Sequence, residues 1–558
     1  MGKGIFASSL RRYTKLQSMY LSGPGSVRPL GIKQVFGIAC AAPCTCHPGE
    51  LENGRWTELL HTDLAQRLGV QGLVEPAMTE VPEGRFMVDS ATLLDVWRFP
   101  STEYCTGCQA LQSWSEASGS GSRSRGADAL GWCFVAHSPG HKRRKQTLQF
   151  EFVWVCPEGH MDSYSPWCPA CGAHLKRAGM ATDFAVPLQC SSCDYEVEIT
   201  LEDTRECSGL IPNAMAVGDR SAACLQRMRL RRLTDPSVWR ARMLTALHLP
   251  RHVLLSEEQY DAICEAMAGR AYERKTSAVE RVSYIGDKLL EAGLEVGVDK
   301  SQIQAVIERA KTPVSPGDSD QLDLDLRRAE IDAFRELQDR DIDMPLLVGA
   351  RAKQLLDGPF VGASGLERLR ATTVLTSVSR LDGPASRALI WGHQPGHAQG
   401  EGHGWLPAFE SFGEGLLLWI DSEWCSQLAN PYEAVHTCSH VAVRGLAKHA
   451  GISETAVRER IYVDPLPAVL LYVATGDQVG TLGGLASLAH DAKWLSEVLH
   501  DEVQAQHWCS MDPICEAERN GACHHCLYLS ETSCEGVSSG RGLQHNAQLR
   551  RGCLEDWW

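Results

Sequence analysis

The chain has 558 residues, 44% of them hydrophobic and 22% charged, which is typical of folded globular proteins and excludes a disordered chain. Its 54 basic and 69 acidic residues give a formal net charge of −15, so any nucleic-acid binding must come from a local basic surface or a basic partner. The length predicts roughly three to five domains, and the lack of a signal-peptide pattern or of an apolar run of about 18 residues predicts a cytoplasmic location.

Residues 1–95 have mixed patterning and form the first predicted region. Within it, residues 56–70 (WTELLHTDLAQRLGV) place apolar side chains at helical intervals and predict a helix. The cysteine cluster at residues 40–47 (CAAPCTCH) has a crowded spacing that matches no common ligand pattern. We therefore predict no metal site from that cluster.

Residues 96–225 contain the densest run of cysteines and are predicted to be zinc-ribbon-like. In CPACGAHLKRAGMATDFAVPLQCSSC, eighteen residues separate the pair Cys168 and Cys171 from the pair Cys190 and Cys193. Two CxxC knuckles at this separation are typical of a ribbon, in which each knuckle supplies two thiolates to one tetrahedral Zn²⁺. The apolar runs QFEFVWV and YEVEITL predict the strands that a ribbon needs. The alternative, four buried structural cysteines, requires two coincidental pairs at ligand spacing.

A second CxxC motif at Cys105 and Cys108 predicts another zinc site, whose remaining ligands stay open. The candidates are Cys133, His137, His141, Cys156 and His160. Cys207 and Cys224 fit lone buried cysteines at least as well as metal ligands. Residues 113–131 are rich in Ser, Gly and Arg and predict an exposed loop inside this region.

Residues 226–345 begin with an arginine-rich segment, RMRLRRLTDPSVWRARM at 227–243, and continue with a predicted helical part. Arginine matches phosphate bidentately and stacks on bases, so the segment suits a nucleic-acid surface. The predicted contacts are Arg227, Arg229, Arg231, Arg232, Arg240 and Arg242. A solvated helix face or a docking site for an acidic partner remains the alternative, also for HKRRK at 141–145. Residues 256–271 and 324–339 have helical periodicity.

Residues 346–558 alternate predicted strands and helices and form an α/β region. ATTVLTSVSRL, EGLLLWID and AVLLYVAT predict strands, and NPYEAVHTCSHVAVRGLAKHAG predicts a long helix. The glycine-rich loop GTLGG lacks the Lys-Ser/Thr ending of a P-loop, so we interpret it as a tight turn. His436 and His440 lie on one face of the long helix, but HTCSH has no Glu after the first His and is not a zincin motif. We interpret them as packed or hydrogen-bonded histidines.

The C-terminal cysteines follow the spacing C-x5-C-x7-C-x2-C-x7-C, which offers five thiols for four coordination positions. A CxxC knuckle plus an outlying pair closes a tetrahedron most easily. The predicted ligands are Cys509, Cys515, Cys523 and Cys526, with Cys534 as the spare thiol. An all-cysteine site leaves no open position for water or substrate, so we predict structural Zn²⁺. Together, the patterns predict an α+β multidomain protein with regions 1–95, 96–225, 226–345 and 346–558.

Several long stretches resemble one family. VHTCSHVAVRGLAKHAGISETAVRERIYV, GTLGGLASLA and WCSMDPICEAERNGACHHCLYLSETSCE closely resemble the C-terminal domain shared by MrfA-type helicases and DrmB, the helicase-associated component of the bacterial DISARM antiphage system. WRFPSTEYCTGC, FVWVCPEGHMDSYSPWC, CSGLIP and GWLPAFESFGEGLLLWI resemble DrmB in the same order. The resemblance covers most of the chain from about residue 95 to about residue 535. The chain departs from the family pattern before CPEGH, where only Cys133 remains of a second CxxC motif.

The resemblance implies a non-enzymatic accessory subunit that binds a superfamily-2 helicase (DrmA-like) and helps it engage DNA in antiphage defence. It also implies that Zn²⁺ is bound by Cys509, Cys515, Cys523 and Cys526. No GxxxxGK[ST] motif occurs in the sequence, which agrees with a partner rather than a motor. The alternative is a metal-dependent DNA-processing hydrolase or nuclease in which His436, His440 and a carboxylate hold a second metal, although no known nuclease spacing is present.

Overall fold

The computed structural model describes 27 stretches of the chain, and all structural statements below concern them. They are residues 27–29, 36–39, 44–46, 59–70, 72–74, 79–80, 86–87, 96–113, 133, 135, 146–179, 182, 184–210, 224–248, 257–294, 298, 300, 303–304, 319–340, 353–354, 358–387, 390–392, 404–475, 484–519, 521–530, 533–536 and 549–557. Among these residues, none of the helices combines the length and the apolar character needed to cross a bilayer.

The chain folds into two compact units. The first unit contains residues 1–55, 73–242 and 375–409, and the second contains residues 56–72, 243–374 and 410–558. The model is mixed α and β, with several sheets and helices, as the sequence predicts. The loop predicted around residues 114–132 and the basic stretch at 141–145 lie outside the described residues.

The first unit is built from small antiparallel sheets. The strands Leu175–Arg177, Ala185–Cys190 and Glu196–Thr200 form a three-stranded sheet in that order. Along Ala185–Cys190 every second residue is buried, because successive side chains of a strand point to opposite faces. The predicted strands of the ribbon are therefore confirmed, and they place a CxxC knuckle at each end of the hairpin.

A second sheet of the first unit has four strands in the order Met161–Ser163, Phe152–Val155, Arg227–Arg232 and Thr204–Glu206. A third sheet has three strands in the order Thr147–Gln149, Thr102–Cys105 and Leu111–Ser113. A fourth runs Val27–Pro29, Phe36–Ala39, Val96–Arg98, Phe86–Met87 and Thr79–Glu80. Cys44–Cys46 is a strand paired in parallel with Ile390–Gly392. The side chains of the cluster at residues 40–47 lie outside the described residues.

The second unit has a central antiparallel sheet whose two faces carry separate cores. Residues 412–419 pair with residues 468–475, which pair in turn with residues 457–462. Leu416, Leu418 and Val469 face one core, whereas Leu417 and Leu470 face the other. This period of two is what a strand buried on both faces requires.

Helices cover both faces of this sheet. Those of nine or more described residues are Leu59–Arg67, Glu257–Ala268, Ala278–Glu291, Ser319–Arg340, Pro431–His449 and Ala492–Ala505. Shorter ones are Arg270–Glu273, Ser422–Gln427, Gly484–Ser487 and Ile514–Arg519. The helix Pro431–His449, here called the central helix, shares the first core, and residues 434–443 along it are all buried. The predicted helices and strands of this region are confirmed.

The opposite core contains a buried ion pair that joins the helix Ser319–Arg340 to the sheet. Glu330 accepts hydrogen bonds from Arg460 Nη2 at 3.0 Å and from the Tyr462 hydroxyl at 2.9 Å, and also from the backbone of Leu247 at 3.1 Å. Arg460 and Glu330 are 3% and 4% exposed. Removing one partner of such a pair leaves an uncompensated buried charge, which is strongly destabilising.

A second polar network surrounds Glu410. His61 Nε2 lies 2.9 Å from Glu410 Oε1, and Arg370 Nη2 donates to the same oxygen at 2.6 Å. Burial raises the pKa of Glu410, but the His61 hydrogen bond and the Arg370 charge outweigh it, so the pKa lies below its usual value. The network therefore favours the ionised carboxylate in the folded chain.

Candidate metal centres

Cys168, Cys171, Cys190 and Cys193 form the ribbon tetrad, whose four sulfurs all lie within 4.8 Å of one another. The Cys168–Cys193 and Cys171–Cys190 sulfur distances are 3.7 and 3.4 Å. A tetrahedron with Zn–S bonds of about 2.3 Å has edges of about 3.8 Å, whereas a disulfide needs about 2.05 Å. The ribbon tetrad can therefore hold a metal ion of the size of Zn²⁺.

The backbone of the ribbon tetrad is shaped to stabilise thiolates. The N–H groups of Ser192 and Cys193 donate to Cys190 Sγ at 3.3 and 3.4 Å. Burial raises the pKa of Cys190, but these N–H groups and the neighbouring thiols lower it more, to about 6. Gly172 closes the first knuckle with φ of +74°, a left-handed conformation that residues with a Cβ rarely adopt. These contacts favour the ionised form that metals bind.

Cys509, Cys515, Cys523 and Cys526 form the C-terminal tetrad, the four ligands predicted from the sequence. The Cys509–Cys523, Cys515–Cys526 and Cys523–Cys526 sulfur distances are 3.6, 3.7 and 3.8 Å. All four side chains are buried in the core of the central helix. Their edges match a tetrahedral Zn–S site, so this tetrad can also hold a metal ion.

Cys156, His160, Cys207 and Cys224 form a third tetrad. The sulfurs of Cys156 and Cys224 are 3.8 Å apart, and Cys207 Sγ lies 3.4 Å from His160 Nδ1. The four-stranded sheet explains the assembly, because its antiparallel strands bring the residues beyond their ends to the same edge.

The third tetrad differs from the two interpretations that the sequence offered for its members. Cys156 and His160 were alternatives for completing the first CxxC site, and Cys207 and Cys224 fitted lone cysteines. The signal that could have joined them is a CxxxH pair, CPEGH, followed by two further cysteines. Nothing in the spacing identifies those two, because strand pairing rather than chain proximity brings them together.

Cys105, Cys108 and Cys133 form a triad whose sulfurs also lie within 4.8 Å of one another. Cys108 Sγ and Cys133 Sγ are 3.8 Å apart, and the N–H groups of Gly107 and Cys108 donate to Cys105 Sγ at 3.3 and 3.5 Å. The structure thus selects Cys133 among the open ligand candidates. His137 and His141 lie outside the described residues.

His436, His440, Glu459 and Cys534 form a fourth group, here called the buried histidine cluster. His436 and His440 lie one turn apart on the central helix, and Glu459 lies on the adjacent strand Val457–Tyr462. Cys534, the thiol predicted to be spare, lies beside them rather than with the C-terminal tetrad. The histidines are packed and hydrogen-bonded, as interpreted from the sequence, but together with a carboxylate and a thiol.

The predicted nucleic-acid residues lie on two strands rather than on a helix. Arg227 and Arg229 are exposed on Arg227–Arg232, and Met228 and Leu230 between them are buried. Arg227 donates to Thr204 Oγ1 at 2.8 Å. The period of two thus directs these two guanidinium groups away from the core.

The other predicted arginines are partly buried, and two of them make internal contacts. Arg231 Nη1 donates to the carbonyls of Leu201 and Leu230, both at 2.7 Å. Arg240 donates to Leu381 O at 2.9 Å and lies 3.0 Å from the Asp382 carboxylate. The Arg232 guanidinium lies over the Phe152 ring at 5.9 Å. Arg227 and Arg229 are therefore the members of the set best placed to contact a partner.

The end of the glycine-rich loop is held by an internal carboxylate. Glu414 is 1% exposed, and its two oxygens accept the N–H groups of Leu485 and Ala486 at 3.0 and 3.2 Å. A Cβ on Gly484 would lie 2.5 Å from Ala450 O, closer than atoms can approach. Close packing at Gly484 agrees with the interpretation as a tight turn, and residues 476–483 lie outside the described residues.

Comparisons with known proteins match parts of the chain. A protein-family model described as a domain of unknown function, DUF8724, matches residues 15–240. The chain is 29% identical over 215 residues to the DISARM protein DrmB of Bacillus paralicheniformis, covering 30% of this chain and 37% of that protein. The DUF1998 helicase MrfA bound to DNA, a solved structure, is 13% identical with a TM-score of 0.19, covering 36% of this chain and 24% of that one. Part of this chain is thus similar to part of a DISARM DrmB.

Proposed function

We propose that this chain is a Zn²⁺-binding accessory component of a DISARM-type antiphage defence system. In this role it binds a superfamily-2 helicase and helps the helicase engage DNA, without catalysing a reaction itself. The observation that carries the proposal is the 29% identity over 215 residues with a DISARM protein DrmB. The C-terminal motifs that resemble DrmB support the same assignment for the second unit.

The metal centres support a structural rather than a catalytic role for Zn²⁺. Bound Zn²⁺ would supply folding free energy to the segments that carry its ligands, as it does in small zinc domains. In the C-terminal tetrad the four cysteines are 1 to 6% exposed, so a bound ion would have neither an open position nor a route for water. The chain's own role is then to hold a defined surface, and the partner supplies ATP hydrolysis.

The arginine segment supports a contact with DNA. Arg227 and Arg229 present two guanidinium groups on one exposed strand face, in a chain whose net charge is −15. Guanidinium groups pair with phosphate bidentately. Two such groups are a small electrostatic footprint, which suits a subunit that extends a path across a helicase better than one that binds DNA alone.

Phage challenge of cells that carry the complete gene cassette of this chain tests the proposal. Deletion of the chain should abolish protection, and the wild-type chain should restore it. The double variant Cys515→Ser/Cys526→Ser should not restore it, whereas Cys425→Ser, which removes a buried thiol outside the tetrads, should. Full protection in the absence of the chain would contradict the proposal.

The alternative of a metal-dependent hydrolase or nuclease has one observation in its favour, the convergence of His436, His440 and Glu459. These residues are at most 4% exposed, which argues against access for a substrate. Incubation of the purified chain with single-stranded and duplex DNA and a divalent metal tests this alternative. DNA cleavage that copurifies with the chain and disappears in Glu459→Gln would favour the enzyme over the accessory subunit.

A further inference from the structure

The buried histidine cluster brings four donor atoms of different chemistry to one point. His436 Nε2 lies 3.1 Å from Glu459 Oε1 and 3.3 Å from Cys534 Sγ, and His440 Nε2 lies 3.4 Å from the same Glu459 oxygen. All four donor atoms lie within 4.8 Å of one another. A tetrahedral ion with bonds of about 2.0 to 2.3 Å has edges of about 3.3 to 3.8 Å, so the spacing fits a first-row metal.

The hydrogen bond of His440 fixes which ring nitrogen faces the cluster as an acceptor. His440 Nδ1 lies 2.7 Å from Leu527 O, and a carbonyl can only accept, so Nδ1 carries the proton. In the neutral ring, Nε2 then presents its lone pair to Glu459 Oε1, an atom that also only accepts. Among the described residues, His440 Nε2 has no hydrogen-bond partner. A cation between the two acceptors replaces their repulsion with two bonds.

The carboxylate is oriented by donors on its outer side. The Ser439 hydroxyl donates to Glu459 Oε2, and the Glu535 N–H donates to Oε1 at 2.8 Å. Metal-binding histidines and carboxylates are commonly held by such outer hydrogen bonds, which fix the ring tautomer and the direction of the lone pairs. His440 with Leu527 O, and Glu459 with these two donors, match that arrangement.

The metal-free alternative is an imidazolium–carboxylate network with a proton on His440 Nε2. His436, His440, Glu459 and Cys534 are 0, 0, 4 and 2% exposed, so that network would hold its charges out of water. Burying charges without compensation carries a large desolvation penalty. A divalent ion bound by two neutral imidazoles, a carboxylate and a thiolate is neutral overall. Charge balance and donor chemistry therefore both favour the ion.

We propose that His436 Nε2, His440 Nε2, Glu459 Oε1 and Cys534 Sγ bind a Zn²⁺ ion as a closed structural site. The site links the central helix and the strand Val457–Tyr462 to the segment that follows the C-terminal tetrad. It explains why a fifth C-terminal thiol is buried apart from the other four. Nitrogen, oxygen and sulfur ligands together suit Zn²⁺, whereas Mg²⁺ and Ca²⁺ prefer oxygen alone. The site is independent of the function proposed above.

Metal content of the full-length protein tests this site. Zn²⁺ per chain would be measured by elemental analysis after dialysis against a chelator of moderate affinity, for the wild type, Cys534→Ser and Glu459→Gln. Each variant should contain one Zn²⁺ fewer than the wild type. Cys438→Ser is the matched control, because Cys438 is a buried thiol on the same helix outside every ligand group, and it should keep the wild-type content. Equal Zn²⁺ content in all four proteins would overturn the proposal.

A second measurement covers the case in which both ligand variants fail to fold. Native mass spectrometry of Cys108→Ser, which disables the triad in the first unit, resolves bound ions as discrete mass steps. The three tetrads account for three Zn²⁺ ions, and the buried histidine cluster adds a fourth. Four ions would support the site, whereas three or fewer would overturn it.

Discussion

Replacing both Arg227 and Arg229 with alanine should flatten the salt dependence of DNA binding by the complex of this chain with its helicase. A protein that neutralises phosphates releases counterions, so the logarithm of affinity falls with the logarithm of salt concentration. Each contact contributes about 0.7 to the slope on single strands and about 0.9 on duplex DNA. Two exposed guanidinium groups therefore predict a change of about 1.4 or about 1.8.

The structure reduces this magnitude below what six arginines would give. Arg231 already donates to two backbone carbonyls, and Arg240 contacts a carbonyl and a carboxylate, so neither offers its full fork to phosphate. Arg231→Ala should accordingly weaken the sheet more than it changes the slope. The decisive variant is the double substitution on the exposed strand face.

Fluorescence anisotropy of a labelled oligonucleotide between about 50 and 200 mM salt measures the slope. Arg335→Ala is the matched control, because it removes an exposed arginine from the helix Ser319–Arg340 in the other unit. An unchanged slope in an intact complex would refute the placement of this strand on the DNA path. Loss of the complex on size exclusion would instead identify the strand as a docking surface for the helicase.

Three further predictions concern metal binding and stability. Cys515→Ser should lower the Zn²⁺ content measured by elemental analysis by one ion per chain and should expose the C-terminal module to limited proteolysis, because structural zinc contributes to local folding. Glu330→Ala should lower the free energy of unfolding in urea by about 3 to 5 kcal/mol, because Arg460 is left buried without its partner, whereas Asp332→Ala at an exposed pair should cost about 1 kcal/mol or less. Since the folded pKa of Glu410 lies below its usual 4.5, its contribution to stability is present above about pH 4.5 and is lost as the pH falls through the folded value. Glu410→Gln should therefore reduce the slope of unfolding free energy against pH in that acidic range.

Local patterns in the sequence predicted the elements that rest on local physics. The period of two in YEVEITL and AVLLYVAT and the helical period of the central helix both reappear in the structure. The sulfurs of both predicted cysteine tetrads also come together, because knuckle spacing is a local geometric constraint. The mixed α and β character of the chain follows from the same patterns.

The remaining groups depend on pairing between distant segments, which spacing does not encode. Cys207 meets His160 through the order of strands in one sheet, 47 residues apart in sequence. Cys534 meets His436 across 98 residues, because the C-terminal segment packs on the central helix. The arginine segment was assigned no secondary structure, and its strand geometry decides which guanidinium groups are exposed.

Copurification with the helicase encoded beside this chain tests the central claim most directly. The two proteins would be coexpressed with a tag on this chain alone and analysed by size exclusion with light scattering. The account predicts one stable complex, with ATP hydrolysis only when the helicase is present and Zn²⁺ retained in this chain. Separate elution of the two proteins, with DNA turnover by this chain alone, would contradict it.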